Sequence, residues 1–255
     1  MKWSYYMGQP RRGGVEKVVT SVRNGRWKRC LRNWFLFFAF IIVVNKACSI
    51  IEYESWSWRQ KLTIAVQTPE GVKKAFSVTR VFVEDTQGRI VPNEARGPRA
   101  GESGEAVVMQ LAPKKYLFAL LKVNPETVTV LFPPRQDYLE ALDQIDSLRG
   151  KPRIVPRKLY PDFVTFDDID DPITIRRVNP DDLAAIFGVG FSLLSMSLEI
   201  TDEPVTRGEV EKVLPAMFFQ RWSAFFREAG RQGGIDHPFY KTLLSRFSQI
   251  DFIRN

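Results

Sequence analysis

Hydrophobic and polar residues alternate through much of the middle of the chain. In the segment "RQKLTIAVQT" (59–68), Leu62, Ile64 and Val66 share one side of an extended chain, and polar residues occupy the other. This period of two predicts a half-buried strand. After a Pro-Glu-Gly turn, residues 72–83 repeat the alternation, so the two runs together predict a β-hairpin.

Further runs of the same kind predict more strands. They cover residues 106–111, 116–121, 163–166, 174–178 and 191–200, and residues 128–132 extend or follow the second of them. The intervening segment 86–105 is rich in glycine and proline, with scattered arginines. That composition predicts a long loop.

Apolar residues at helical spacing predict helices over 137–148, 179–187, 215–229 and 238–253. Asn179 is expected to cap the second of these, with Pro180 in its first turn, and Gly188 is expected to end it. Strands followed by added helices favour an α+β fold with a mainly antiparallel sheet and packed helices. The expected body spans residues 56–205, and a C-terminal helical segment spans residues 206–255.

The helix at 215–229 carries an aromatic stripe of Phe218, Trp222, Phe225 and Phe226. Such a stripe usually packs on a core, so we expect this helix to cover one face of the sheet. An amphipathic helix lying in a membrane interface is the alternative.

A long apolar segment, "NWFLFFAFIIVVNKACSIIEYESWSW", precedes the first strand. Eleven residues from Trp34 to Val44 are apolar without a break, and the apolar character continues to Ile51 with few interruptions. A helix of that extent is about 27 Å long, close to the roughly 30 Å of a bilayer's hydrocarbon core. We therefore predict a single N-terminal transmembrane helix over 33–52, in contact with the lipid bilayer through residues 34–51.

Charge supports this topology and disfavours nucleic-acid binding. Residues 1–32 hold nine basic residues and one acidic residue, which accounts for the entire net charge of +8. A nucleic-acid-binding protein is expected to carry its positive charge on the folded domain instead. Positive residues before an apolar run are typical of a cytoplasmic head, so the sequence predicts a signal anchor with the body on the periplasmic side.

Three alternatives to a retained anchor stay open. Cys48 follows the small residue Ala47, as the lipid-attachment cysteine of a lipoprotein does, although Asn45 and Lys46 depart from the usual preceding residues. A conventional cleaved signal would need a head of more than about 30 residues and has no clear Ala-x-Ala site. The segment could also be the buried helix of a cytosolic soluble protein.

The residues that carry common catalytic chemistry are scarce. The chain has two cysteines, Cys30 and Cys48, and one histidine, His237, which disfavours multi-histidine zinc sites, Cys-His dyads and Ser-His-Asp triads. No glycine-rich phosphate loop or nucleophile elbow is present. We expect no cofactor, and an enzymatic role is disfavoured.

One acidic cluster is a candidate metal site. The segment "DDIDDP" places Asp167, Asp168, Asp170 and Asp171 within five residues, and several carboxylates are what Ca²⁺ prefers. The same residues, or Asp202 with Glu203, could instead serve a hydrolase as general acid and base. A tight turn at the end of a strand is the simpler interpretation, because aspartate and proline favour turns.

Four segments together resemble a group of bacterial envelope proteins of unknown function. They are "WRQKLTIAVQTPEGVKKAFSVTRV", "LFALL", "DDIDDPITIRRVNPDDLAAIFGVGFSL" and "LEITDEPVTRGEVEKVLP", within residues 56–215. Members of that group carry a short apolar or lipoprotein-like N-terminal segment. The resemblance implies an envelope location and implies no catalytic residue. The sequence thus predicts an envelope-anchored protein with a binding or structural role.

Overall fold

Two antiparallel β-sheets dominate the part of the chain that the computed structural model describes. The described residues are Trp34, Phe35 and Phe37, and the ranges 54–85, 98–121, 138–233 and 236–254. Residues 53–255 form one compact unit. The α+β class and the antiparallel pairing predicted from the sequence are confirmed for this unit.

The larger sheet has six strands among the described residues. In spatial order they are β10 (Ile253–Arg254), β3 (Pro98–Glu105), β2 (Gly71–Asp85), β1 (Ser55–Thr68), β9 (Ser192–Ile200) and β6 (Arg153–Ile154). The predicted hairpin is its centre: β1 pairs with β2 from Ser55↔Glu84 to Thr68↔Gly71. The hairpin forms because both strands alternate with the same period and the turn between them is only two residues long.

The smaller sheet has four strands in the described ranges. They are β4 (Val107–Ala112), β5 (Lys115–Ala119), β7 (Phe163–Phe166) and β8 (Ile175–Val178), in that spatial order. All four were predicted from their apolar runs, and the predictions are confirmed. The strand predicted at 128–132 lies outside the described residues.

The described helices are short, apart from one. They are α1 (Tyr138–Asp143), α2 (Ala184–Phe187), α3 (Glu209–Val213) and α4 (Ala216–Gln232). Single 3₁₀ turns cover Ile145–Leu148, Arg157–Leu159, Pro172–Thr174, Pro238–Lys241, Leu244–Arg246 and Gln249–Asp251. The predicted aromatic helix is α4, with Pro215 at its N-cap.

Two apolar cores stack these elements into three layers. The first core lies between the two sheets, where Ile64, Val83 and Met196 of the larger sheet meet Leu117 and Phe163 of the smaller one. The second core covers the other face of the smaller sheet. There α4 buries Phe218, Phe219 and Trp222 together with Phe166 and Phe252, so α4 packs on the sheet as its aromatic stripe predicts.

Three predictions were wrong in their details. The end of the predicted loop, residues 98–105, is strand β3, because β2 pairs with residues 98–103 and β10 pairs with residues 104–105. The predicted last helix over 238–253 is a series of 3₁₀ turns followed by β10. The helix predicted at 179–187 begins only at Ala184. The Asn179 side chain accepts the Asp181 N–H (3.1 Å) in a preceding turn, and the Asp182 side chain accepts the Ala185 N–H (3.1 Å) at the helix start.

The predicted transmembrane helix lies almost entirely outside the described residues. Apart from Trp34, Phe35 and Phe37, residues 33–52 lie outside the described part, as does Cys48. In the part of the chain that is described, no helix combines the length and apolar character needed to cross a bilayer.

Candidate functional site

A buried carboxyl group, that of Glu102, projects from β3 toward the space between the two sheets. Glu102 pairs with Val81 across the β2–β3 ladder and is only 5% exposed. Its Oε1 accepts hydrogen bonds from Thr79 Oγ1 at 2.8 Å and from Gln60 Nε2 at 3.4 Å. Its Oε2 is buried and has no hydrogen-bond partner among the described residues. An orphaned buried acceptor of this kind is rare in native proteins and calls for an explanation.

Glu102 lines a cavity of about 50 Å³. Apolar side chains from both sheets form most of its wall, with Val155, Leu159 and Pro161 on a connecting segment. Gln60, Ser77, Thr79, Glu102 and Glu105 supply the polar part of the wall. A cavity of this volume is above the roughly 10–15 Å³ needed to hold one ordered water molecule, and it can hold a small polar group of a ligand.

The cavity changes the proton affinity of Glu102. Burial raises the pKa of its carboxyl group above the ordinary value of 4.5, and this effect outweighs the opposing hydrogen bond from Thr79. The positive charge of Arg254 and the hydrogen bond from Gln60 also oppose it to a smaller extent. The group can therefore donate a proton into the cavity when neutral and accept a hydrogen bond there when ionised.

Glu105 lies three residues further along β3. Unlike Glu102, this buried residue has hydrogen-bond partners for both of its carboxyl oxygens. Its two oxygens accept three backbone N–H groups at the start of α3, those of Gly208, Glu209 (2.8 Å) and Val210 (2.9 Å). These are N–H groups that a helix cannot satisfy internally, so the side chain acts as a cap from another element. Glu105 is thus a structural residue, and Glu102 is the candidate functional one.

The acidic cluster at 167–171 forms a turn between β7 and β8. Asp168 Oδ1 accepts the backbone N–H of Asp170 at 3.0 Å, and Asp171 Oδ1 accepts that of Ile173 at 3.0 Å. Asp167 forms an ion pair with Arg176 at 3.3 Å. Local backbone and arginine partners therefore engage three of the four aspartates, as the turn interpretation predicts.

Among the described residues, no group of three His, Cys, Asp or Glu side chains lies close enough together to bind a metal ion. The calcium and hydrolase hypotheses for Asp167, Asp168, Asp170 and Asp171 accordingly gain no geometric support. His237, at the first position before a 3₁₀ turn, accepts the Phe239 N–H through Nδ1 at 3.1 Å and caps that turn.

Sequence reasoning missed Glu102 because its segment, "PRAGESGE", has the composition of a loop. Glu102 is buried because β3 pairs with β2 and the side chain faces the cavity between the two sheets. Residues from the far end of the chain, in β10, pair with the adjoining Gly104 and Glu105. No motif or spacing around position 102 indicates that burial.

Comparison with known proteins returned no match to this chain among protein-family models, curated proteins or solved structures.

Proposed function

We propose that this chain is a membrane-anchored binding protein whose body binds a small amine-bearing molecule in the cavity at Glu102. The anchor is the apolar segment 33–52, preceded by the basic head, and it would hold the body on the periplasmic side of a bacterial membrane. The binding site would be the cavity between the two sheets.

The observation that carries the binding proposal is the unpartnered Oε2 atom of Glu102. Leaving a buried polar group unsatisfied costs about 1–3 kcal/mol, and more when the group is charged. A ligand that donates a hydrogen bond to Oε2 removes this cost upon binding. A primary ammonium group is suited to the task because it supplies three donors and one positive charge to an acid.

The cavity also limits the size and shape of the ligand. Its volume of about 50 Å³ admits a methylammonium-sized group but not a drug-sized molecule. Leu62, Met196 and Leu198 on its wall would contact the alkyl part of such a ligand. Gln60 and Thr79 hold the other carboxyl oxygen in place, so the recognition group is oriented before binding.

Thermal unfolding of the full-length chain in neutral detergent tests the binding site. Methylammonium chloride is compared with sodium chloride at equal ionic strength, so that general salt effects cancel. We expect a saturable rise in Tm with methylammonium, because a ligand that binds only the native state stabilises it. Glu102→Gln should abolish the rise, and Glu211→Gln, the same change at an exposed position on α3, should retain it. An equal rise in wild type and Glu102→Gln would refute the site.

Intact mass of the protein recovered from membranes tests the anchor. A mass that begins at Met1 supports a retained helix, and a mass that begins at a lipid-modified Cys48 supports the lipoprotein alternative. Recovery of the full-length chain in the soluble fraction without detergent would contradict membrane anchoring.

A further inference from the structure

A second polar site lies on the outer face of the six-stranded sheet, separate from the Glu102 cavity. It is a cleft of about 390 Å³, and three arginines from different elements line it: Arg59 of β1, Arg80 of β2 and Arg149, which follows the 3₁₀ turn 145–148. Of the described residues that line this cleft, Asp202 is the single acid. The lining therefore carries two positive charges in excess.

The sheet register forces two of these arginines together. Arg59 and Arg80 are direct cross-strand partners in the β1–β2 ladder. Like charges in directly opposite positions destabilise a sheet unless a counter-charge lies between them. Here the counter-charge is shared, because Arg59 and Arg149 both contact the same oxygen, Oδ1, of Asp202.

Backbone and side-chain hydrogen bonds position the residues that line the cleft. The Thr201 N–H donates to the Arg59 carbonyl at 3.0 Å, which fixes the segment that carries Asp202 beside β1. Arg149 bridges to Ile200 at the end of β9. Arg80 Nε donates to Ser57 Oγ at 2.9 Å, so this guanidinium is oriented before any ligand arrives.

We propose that this cleft binds a phosphate-type oxyanion, which would lie between Arg59 and Arg80. A guanidinium presents a planar fork of donors that matches two phosphate oxygens at once. The Ser57 hydroxyl already accepts a bond from Arg80, so its own proton is available to a third oxygen. Free phosphate groups and the phosphate of an anionic lipid headgroup share this chemistry.

Thermal unfolding of the full-length chain in neutral detergent tests the cleft in two arms. The first arm adds inorganic phosphate against chloride at matched ionic strength, and the second adds phosphatidylglycerol to the micelles against phosphatidylcholine. We expect a saturable rise in Tm in at least one arm. A rise at far lower concentration with phosphatidylglycerol identifies the lipid as the source, and a rise with phosphate alone identifies a soluble ligand.

Variants separate specific binding from the general stabilisation that phosphate gives proteins. Arg80→Gln should weaken apparent affinity by about tenfold or more, since it removes charge-assisted hydrogen bonds. Arg231→Gln, at an exposed arginine of α4, should leave affinity unchanged, and Arg149→Gln is a second cleft variant if Arg80→Gln fails to fold. Wild type and both cleft variants responding equally in both arms, or no response in either arm, would overturn the proposal. Neither result depends on Glu102, so these experiments test the oxyanion site independently of the amine-binding proposal.

Discussion

The ring of Phe82 lies directly over Gly101, its cross-strand partner in the pairing of β2 with β3. A Cβ atom placed on Gly101 would lie 2.0 Å from Phe82 Cζ, so the two residues fit only because position 101 has no side chain. The glycine that makes this segment resemble a loop is therefore a packing feature of a strand.

Gly101→Ala should displace the Phe82 ring and destabilise the protein by about 1 kcal/mol, as overpacking does. In a Phe82→Ala background the same change should become neutral or stabilising, because alanine costs less chain entropy than glycine. Urea unfolding of the four proteins gives the coupling energy. Additive effects of the two substitutions would show that the ring and the glycine do not interact.

The stability of the protein should depend on the titration of Glu102. Burial raises the pKa of its carboxyl group, so its proton is bound more tightly in the folded state than in the unfolded state. Folded-state stability from this group is then fully present below the ordinary pKa of 4.5 and is lost as pH rises through the higher folded pKa. Arg254 of β10 and Glu105 of β3 are the charged groups beside it.

Glu102→Gln removes that titration and keeps the shape of the side chain. At neutral pH we expect the variant to be more stable than wild type by about 1–3 kcal/mol in the absence of ligand. The advantage should shrink as pH falls toward 4.5. Urea unfolding across this pH range measures it, with Glu211→Gln as the control whose difference from wild type should stay flat. A constant advantage at every pH would contradict the raised pKa.

Glu105→Ala should destabilise the protein by about 2–4 kcal/mol, because it leaves the first N–H groups of α3 without their acceptor. Its matched control is Glu211→Ala, an exposed residue of the same helix, which should change stability by less than about 0.5 kcal/mol. Chemical denaturation measures both. Similar losses in the two variants would show that the cap contributes little.

Trp222→Ala should cost about 3–5 kcal/mol, since the side chain is 2% exposed in the second core. Trp222→Phe should cost less, because the buried Nε1 atom has no hydrogen-bond partner among the described residues. Met217→Ala on the exposed face of α4 serves as the control. If Trp222→Ala left stability unchanged and only weakened membrane association, α4 would be an interfacial helix instead.

Addition of millimolar Ca²⁺ should leave the Tm unchanged, because local partners engage Asp167, Asp168 and Asp171. A ligand of the native state must raise Tm, so a saturable rise that Asp170→Asn abolishes would restore the calcium hypothesis. Mg²⁺ at equal concentration controls for general effects of a divalent cation.

The sequence by itself determined the strands that have a strong local pattern. Residues 59–68 alternate because one face of that strand, with Ile64 and Val66, is buried. Residues 72–83 also form the predicted strand, although Phe76 and Phe82 lie on its exposed side and Ser77 and Thr79 on its buried side. The aromatic spacing of α4 likewise determined which face packs on the sheet. These elements carry their own periodic signal, which does not depend on distant partners.

Only the tertiary structure decided the role of residues 98–105 and 253–254. Their strand conformation depends on backbone partners far away in the chain, and a sequence pattern records side-chain burial but not backbone pairing. The pairing of β3 with β2 places Glu102 beside the cavity, and the β1–β2 register places Arg59 opposite Arg80. Both candidate sites thus form where residues of different strands lie side by side. For this reason no contiguous sequence motif predicts either site.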